Sequence, residues 1–151
     1  MREKEFEYQP EKYEFEKASN AYLISLFILV LVLPLPIINL FGSIIFYTTN
    51  RRSTPFVRWH CTQVILSQIF LLVINNLMIF WTLMLNLLVP ISPFYYTCLI
   101  IVILFNIIEL IATVVTIILL NNEKHVRWLF FSNITDYFFK NKMQKKEELF
   151  W

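Results

Sequence analysis

The clearest pattern in the chain is an uninterrupted apolar run in its second half. No Asp, Glu, Lys or Arg occurs from Cys61 through Ile108. Two prolines divide this run, which predicts two long helices, over residues 55–89 and 94–120, joined by a tight turn. A helix needs about 20 apolar residues to cross a bilayer. The pattern therefore predicts a transmembrane helical hairpin.

An earlier apolar stretch, residues 21–49, is broken by Pro34 and Pro36. It is long for one span and short for two, because two spans need about 40 residues. One interpretation is a single kinked span, which places the N-terminus opposite the loop that follows. The other is a broken or re-entrant pair of half-helices, which leaves both ends on one side. We expect an all-α integral membrane bundle with three to four transmembrane segments within residues 21–120.

Polar segments flank this predicted bundle. Residues 1–20 carry six acidic and four basic side chains and are predicted to form a charged N-terminal tail or a short surface helix. Residues 121–151 combine aromatic side chains with charges too closely spaced for a span, which predicts a cytoplasmic interfacial amphipathic helix and a basic tail. The lysines expected to contact anionic lipid are Lys140, Lys142, Lys145 and Lys146.

Composition and charge indicate a small integral membrane protein. Apolar residues make up 58% of the 151 residues and charged residues 16%, which is too apolar for an ordinary soluble domain. The net charge of +2 gives no support for a nucleic-acid partner. Nine Lys and Arg lie in the loop 50–60 and the C-terminal segment, so both are predicted to be cytoplasmic. The side of the N-terminus stays open.

Sparse polar side chains mark the inward faces of the predicted hairpin. Each helix confines them to one face: Gln68, Asn75, Thr82 and Asn86 in the first, and Asn106, Glu109, Thr113 and Thr116 in the second. A turn near residue 92, at a rise of about 1.5 Å per residue, places Glu109 level with Asn75 and Thr116 level with Gln68. We therefore predict an intramembrane polar site where the two faces meet.

Glu109 is the one acid inside the predicted hairpin. An ionised carboxylate in hydrocarbon costs several kcal/mol, so we expect Glu109 to be protonated and hydrogen-bonded to Asn75 or Asn76. Two alternatives stay open. The carboxyl group could serve as a proton relay or cation site, or it could form a salt bridge with a basic residue of another subunit.

The segment after the first apolar stretch carries a family-like pattern. Following a charged turn, it reads Ser-Thr-Pro-Phe-Val-Arg-Trp-His-Cys-Thr-Gln over residues 53–63. This resembles the signature of a family of small bacterial membrane proteins of unknown function. A similar arrangement occurs in the twenty-kilodalton subunit of the chloroplast inner-envelope protein translocon (the Tic complex). The residues that carry the resemblance, predicted to lie at the membrane interface, are Pro55, Phe56, Arg58, Trp59, His60 and Gln63.

The resemblance implies a multi-pass protein of the bacterial inner membrane, with an organelle inner membrane as the less favoured alternative. The sequence holds no catalytic, metal-binding or cofactor-binding motif, so we expect a protein that is not an enzyme and needs no cofactor. The first hypothesis is a subunit or accessory factor of a membrane complex, in protein translocation or assembly, with lipids and other integral membrane proteins as partners. The alternative is a small oligomeric transporter or channel component that uses Glu109 as its proton or cation site.

Overall fold

The computed structural model describes residues 8–31, 36–88, 92–128 and 130–148. In this part of the chain five helices and no strands are present, which confirms the all-α class. The helices are α1 (Lys12–Leu31), α2 (Pro36–Thr49), α3 (Pro55–Leu88), α4 (Pro93–Asn121) and α5 (Phe131–Glu148). The predicted turn after α3 falls on residues 89–93, of which 89–91 lie outside the described residues.

Two helical segments of the described chain, Pro55–Met84 and Pro93–Asn121, are long and apolar enough to cross a membrane. This corrects the expectation of three to four such segments. The first apolar stretch supplies no further one because it is divided between the second half of α1 and the shorter apolar helix Ile37–Thr49. The first half of α1 is charged, so that helix is only partly apolar.

Helix α2 folds back along α1. Gly42 of α2 lies against Ile24 and Ile28 of α1, and a Cβ atom at Gly42 would overlap the Ile28 side chain. Phe46, near the end of α2, packs against the cluster that contains Phe15, near the start of α1. The two helices are therefore antiparallel, as in the re-entrant interpretation. The start of α1 and the end of α2 lie at the same end of the bundle. The break itself, residues 32–35 with Pro34, lies outside the described residues.

The start of α1 lies within the segment predicted to be a charged tail. Glu14 is 1% exposed and accepts hydrogen bonds from Tyr8 Oη (2.9 Å) and from the backbone N–H of Glu11 (2.8 Å). The second bond satisfies a backbone donor that the first turn of a helix leaves free. Burial also raises the pKa of Tyr8. This part of the tail is thus folded onto the bundle, and the predicted tail residues 1–7 lie outside the described residues.

The apolar core lies at the end of the bundle where α1 and α3 begin and α4 ends. Helix α1 is central to it, since α1 contacts α2, α3 and α4, and α4 packs more extensively on α1 than on α3. The α3–α4 hairpin is therefore not the main packing unit that its sequence suggests. The buried side chains of this core are Phe15, Ala18, Ala21, Tyr22, Phe56, Val57, Cys61, Val64, Ile117 and Leu120.

After α4 the chain turns back into the bundle. Glu123 has a positive φ of 57°, and the backbone N–H of Lys124 donates to the carbonyl of Leu119 at 2.9 Å, as in a helix-ending reversal. The segment 125–128 then runs back between α3 and α4. It leads into α5, whose first residue, Phe131, packs its ring 5.8 Å from that of Phe70.

Helix α5 runs along the side of α3. Ser132 and Thr135 are buried, whereas Ile134, Tyr137 and Phe138 are exposed, so a helix is present where an amphipathic one was predicted. Its position on a membrane surface stays a prediction. The predicted lipid contacts of Lys140, Lys142, Lys145 and Lys146 lie outside the described side chains.

Candidate functional site

A buried network of polar side chains joins α1, α2, α3 and α4, and Gln68 is its centre. The Gln68 amide donates to Ser25 Oγ at 3.0 Å and to Glu109 Oε1 at 2.8 Å. Its carbonyl oxygen accepts from Asn39 Nδ2 at 2.7 Å. All of these side chains are at most 8% exposed. One residue of α3 therefore links the other three helices, and we call Ser25, Asn39, Ser67, Gln68 and Glu109 the central network.

Glu109 lies inside the central network, where it is 8% exposed and hydrogen-bonded. Its predicted partners were wrong. The carboxyl oxygen is bonded by Gln68 and, at 3.5 Å, by Ser67 Oγ. Thr113, one turn along α4, is buried as well. These partners are neutral, so they do not compensate a full negative charge.

Asn75 pairs with Asn106 instead of Glu109. The two amides exchange both hydrogen bonds, at 3.0 and 2.8 Å. The physical reason is the position of the hairpin turn, which lies midway between Leu88 and Pro93 rather than at residue 92. This shifts the facing residues by about one helical turn. Nearer the core, α4 packs on α1 as well as on α3, and Glu109 there accepts a hydrogen bond from Gln68.

Among the residues that the structure describes, two oxygen atoms on α2 beside the central network have no hydrogen-bond partner. They are Asn39 Oδ1 and Ser43 Oγ, one turn apart on α2, and both atoms are buried. Buried polar atoms in native proteins are nearly always satisfied by protein or by water. The face of α2 nearest Gln68 therefore offers two unused acceptors within the bundle.

A second network lies at the core end of the bundle and binds the returning segment 125–128. The Trp128 backbone N–H faces Gln63 Oε1 at 3.5 Å, and Trp128 Nε1 donates to Thr116 Oγ1 at 2.8 Å. Gln63 Nε2 donates to Tyr22 Oη at 3.0 Å. We call Tyr22, His60, Gln63, Thr116, His125 and Trp128 the terminal network.

The hydrogen bonds of the terminal network have one consistent direction. A backbone N–H can only donate, so the Gln63 oxygen faces Trp128 and the Gln63 amide nitrogen faces Tyr22. Tyr22 then donates to His60 Nδ1, 3.0 Å away. This leaves the His60 proton on Nε2, which donates to His125 Nδ1 at 3.1 Å. His60 is thus a fully engaged structural group.

An ion pair outside the terminal network fastens α5. Trp59 Nε1 donates to Asp136 Oδ1 at 2.7 Å, and the other carboxylate oxygen of Asp136 pairs with Arg127. The Arg127 guanidinium also lies 6.0 Å from the Trp59 ring centre, a distance that permits a cation–π contact. Arg58 stands at the same distance from the Phe139 ring.

The aromatic residues of the family-like pattern are packed inside the bundle, and the depth of this segment relative to a membrane interface stays a prediction. Pro55 begins α3 as expected, but Phe56 and His60 are fully buried and Trp59 is 3% exposed. They cannot lie free at a membrane interface, because α1 and the returning segment cover them. The sequence patterns did not predict several network members, which come from separate parts of the chain: Tyr22, Ser25, Ser67, His125 and Trp128.

The fold and its buried polar networks define a small helical membrane protein. The chain belongs to the MamF/MmsF family, the magnetosome magnetite crystal formation protein family, whose model matches residues 16–134. That range includes both networks and most of the described helices. The predicted relationship to a small bacterial membrane-protein family is confirmed, whereas nothing supports the relationship to the translocon subunit. No curated protein and no solved structure matches the chain significantly.

Proposed function

We propose that this chain is a non-catalytic accessory protein of the magnetosome membrane and that it supports magnetite crystal formation. The observation that carries the proposal is the family match over residues 16–134. The geometry supports a non-catalytic role, because Gln68 and Glu109 are engaged in hydrogen bonds between helices and His60 bonds to the returning segment. Such groups fix the packing of a membrane bundle.

Deletion and complementation in the bacterium that encodes the chain tests this proposal. We expect deletion to change the number or size of magnetite crystals in electron micrographs, and the wild-type chain to restore them. Gln68→Leu, expressed to the same level, should restore them less well, because it removes the links among four helices. Unchanged crystals after deletion, with the protein absent from the magnetosome membrane, would contradict the proposal.

We further propose that the partners of the chain are membrane lipids and other integral membrane proteins rather than nucleic acids. The support for this is the apolar outer surface of the two long helices and the small net charge. A cytoplasmic C-terminus remains our prediction from the distribution of Lys and Arg. A role in protein translocation has no support beyond the sequence resemblance.

A second candidate function is passage of protons or small cations past Glu109. The observation that favours it is the hydrogen-bonded chain from Glu109 through Gln68 to Asn39. On α2, Asn39 Oδ1 and Ser43 Oγ are buried and have no partner among the described residues. Hard cations prefer oxygen ligands, and acids inside membrane spans commonly carry protons. In this function Glu109 would exchange its proton or bind the ion.

Flux measurements on purified protein in liposomes test the second candidate. We expect wild-type protein to dissipate an imposed proton or Na⁺ gradient, and Glu109→Gln to reduce the rate at least tenfold, because the amide keeps the shape and loses the titratable group. Asn106→Leu serves as a control, since it alters a polar contact on the same helix outside the central network. Equal flux through wild type and Glu109→Gln would remove this candidate.

A further inference from the structure

The outer face of α3 carries a regular row of exposed side chains. Its members follow one another at intervals of four, three, four and three residues, and they are Ile69, Val73, Asn76, Phe80 and Leu83. The apolar members are 42% to 59% exposed, and Asn76 is exposed as well. This 4-3 spacing is the one by which two helices pack along a seam. We call these five residues the α3 seam.

Asn76 is the member of the α3 seam that needs an explanation. Unlike its neighbour Asn75, it makes no hydrogen bond with the residues that the structure describes. It lies in the middle of a helix that is long and apolar enough to cross a membrane. A primary amide directed at acyl chains has no partner there, and polar side chains in membrane helices generally face protein or water.

We propose that the α3 seam is the contact surface for a second copy of this chain, with the Asn76 amides of the two copies hydrogen-bonded to each other. Two copies inserted in the same direction are related by a two-fold axis along the membrane normal. Their α3 helices are then parallel, and equal residues lie at equal depth. Asn76 therefore meets Asn76, with Val73 and Phe80 packing on either side of it.

The chemistry of the amide favours a second copy over an unrelated partner. A primary amide both donates and accepts, so two identical amides satisfy each other without any further group. The structure contains such a pair, since Asn75 and Asn106 exchange hydrogen bonds at 3.0 and 2.8 Å. A single polar Asn in an otherwise apolar seam also fixes the register of paired helices. The α3 seam combines these two features.

Cysteine cross-linking in membranes tests the proposed contact. Single cysteines replace residues 73, 76 and 80 in turn, in a full-length background in which Cys61 and Cys98 are alanine. Ile103→Cys is the matched control, because Ile103 lies on α4 and is 49% exposed. We expect a mild oxidant to give dimer-sized products at the three seam positions, with yields at least fivefold above the control. Equal yields at Ile103, or products with a different protein instead, would overturn the proposal.

Two substitutions at Asn76 test the amide pair itself. Energy transfer between labelled copies in liposomes measures the association constant. We expect Asn76→Val to weaken association by roughly 3- to 20-fold, the range seen for interhelical hydrogen bonds in membranes. Asn76→Gln keeps the amide and should retain most of the association. Unchanged association in Asn76→Val overturns the pairing, and the cross-linking pattern decides the seam independently if that variant folds poorly.

Discussion

Gln68→Leu is expected to lower the free energy of unfolding by about 2–4 kcal/mol. The variant keeps a side chain of similar size but removes the donor to Ser25, the donor to Glu109 and the acceptor of Asn39. Each lost bond leaves a buried polar group with fewer partners. An unsatisfied buried polar group lowers the stability of the folded state by about 1–3 kcal/mol. The loss falls on four helices at once, so we expect a single, cooperative decrease in stability.

Reversible denaturation in detergent micelles, followed by circular dichroism, measures this decrease. Thr97→Val is the control, since Thr97 is exposed and its hydroxyl donates to the carbonyl of Pro93 in its own helix. We expect that control to stay within about 0.5 kcal/mol of wild type. If Gln68→Leu were as stable as Thr97→Val, the central network would not hold the helices together.

The sequence was sufficient to predict the long helices. The absence of charge between Cys61 and Ile108, together with Pro55 and Pro93, sets the bounds of α3 and α4 within a residue or two. These signals are local: proline restricts the backbone where it stands, and a long charge-free run has few alternatives to a membrane helix. The face on which Glu109 lies was predictable for the same reason, since it depends only on helical period.

The partners of Glu109 were not predictable from the same patterns. The expected register came from α3 and α4 alone, whereas two members of the central network, Ser25 and Asn39, come from α1 and α2. Serine and asparagine are common in membrane helices, so neither marks its partner. The packing of α1 on α3 brings Ser25 to Gln68, and the fold-back of α2 onto α1, made close by Gly42, brings Asn39 there.

The burial of Phe56, Trp59 and His60 also depends on parts of the chain that are distant in sequence. Taken with the arginines nearby, these aromatic residues have the composition of a membrane interface. They are buried because the first half of α1 and the segment 125–128 pack over them. A signal was present in the second occurrence of Val-Arg-Trp, at residues 126–128. The tryptophan of each occurrence donates a hydrogen bond to a helix elsewhere in the chain: Trp59 to Asp136 of α5, and Trp128 to Thr116 of α4.

Trp128→Ala is expected to release the returning segment and α5 from the bundle. Trp128 contacts the Tyr22 ring at 5.8 Å and the Phe131 ring at 6.1 Å, and its indole N–H donates to Thr116. Removing the indole deletes these contacts and leaves the Thr116 hydroxyl with only its backbone partner. We expect a loss of about 2–3 kcal/mol in the docking of the segment. This corresponds to a rise of roughly 30-fold or more in its opening.

Hydrogen exchange of the backbone amides in residues 122–128 measures that opening directly. In Trp128→Ala these amides should exchange roughly 30-fold faster or more, whereas the central part of α4 should change little, because local opening does not require global unfolding. Phe130→Ala is the matched control, since Phe130 lies two residues away and is 80% exposed. Equal protection in the two variants would show that the indole does not hold the segment, and that the Arg127–Asp136 pair and its contact with Trp59 suffice.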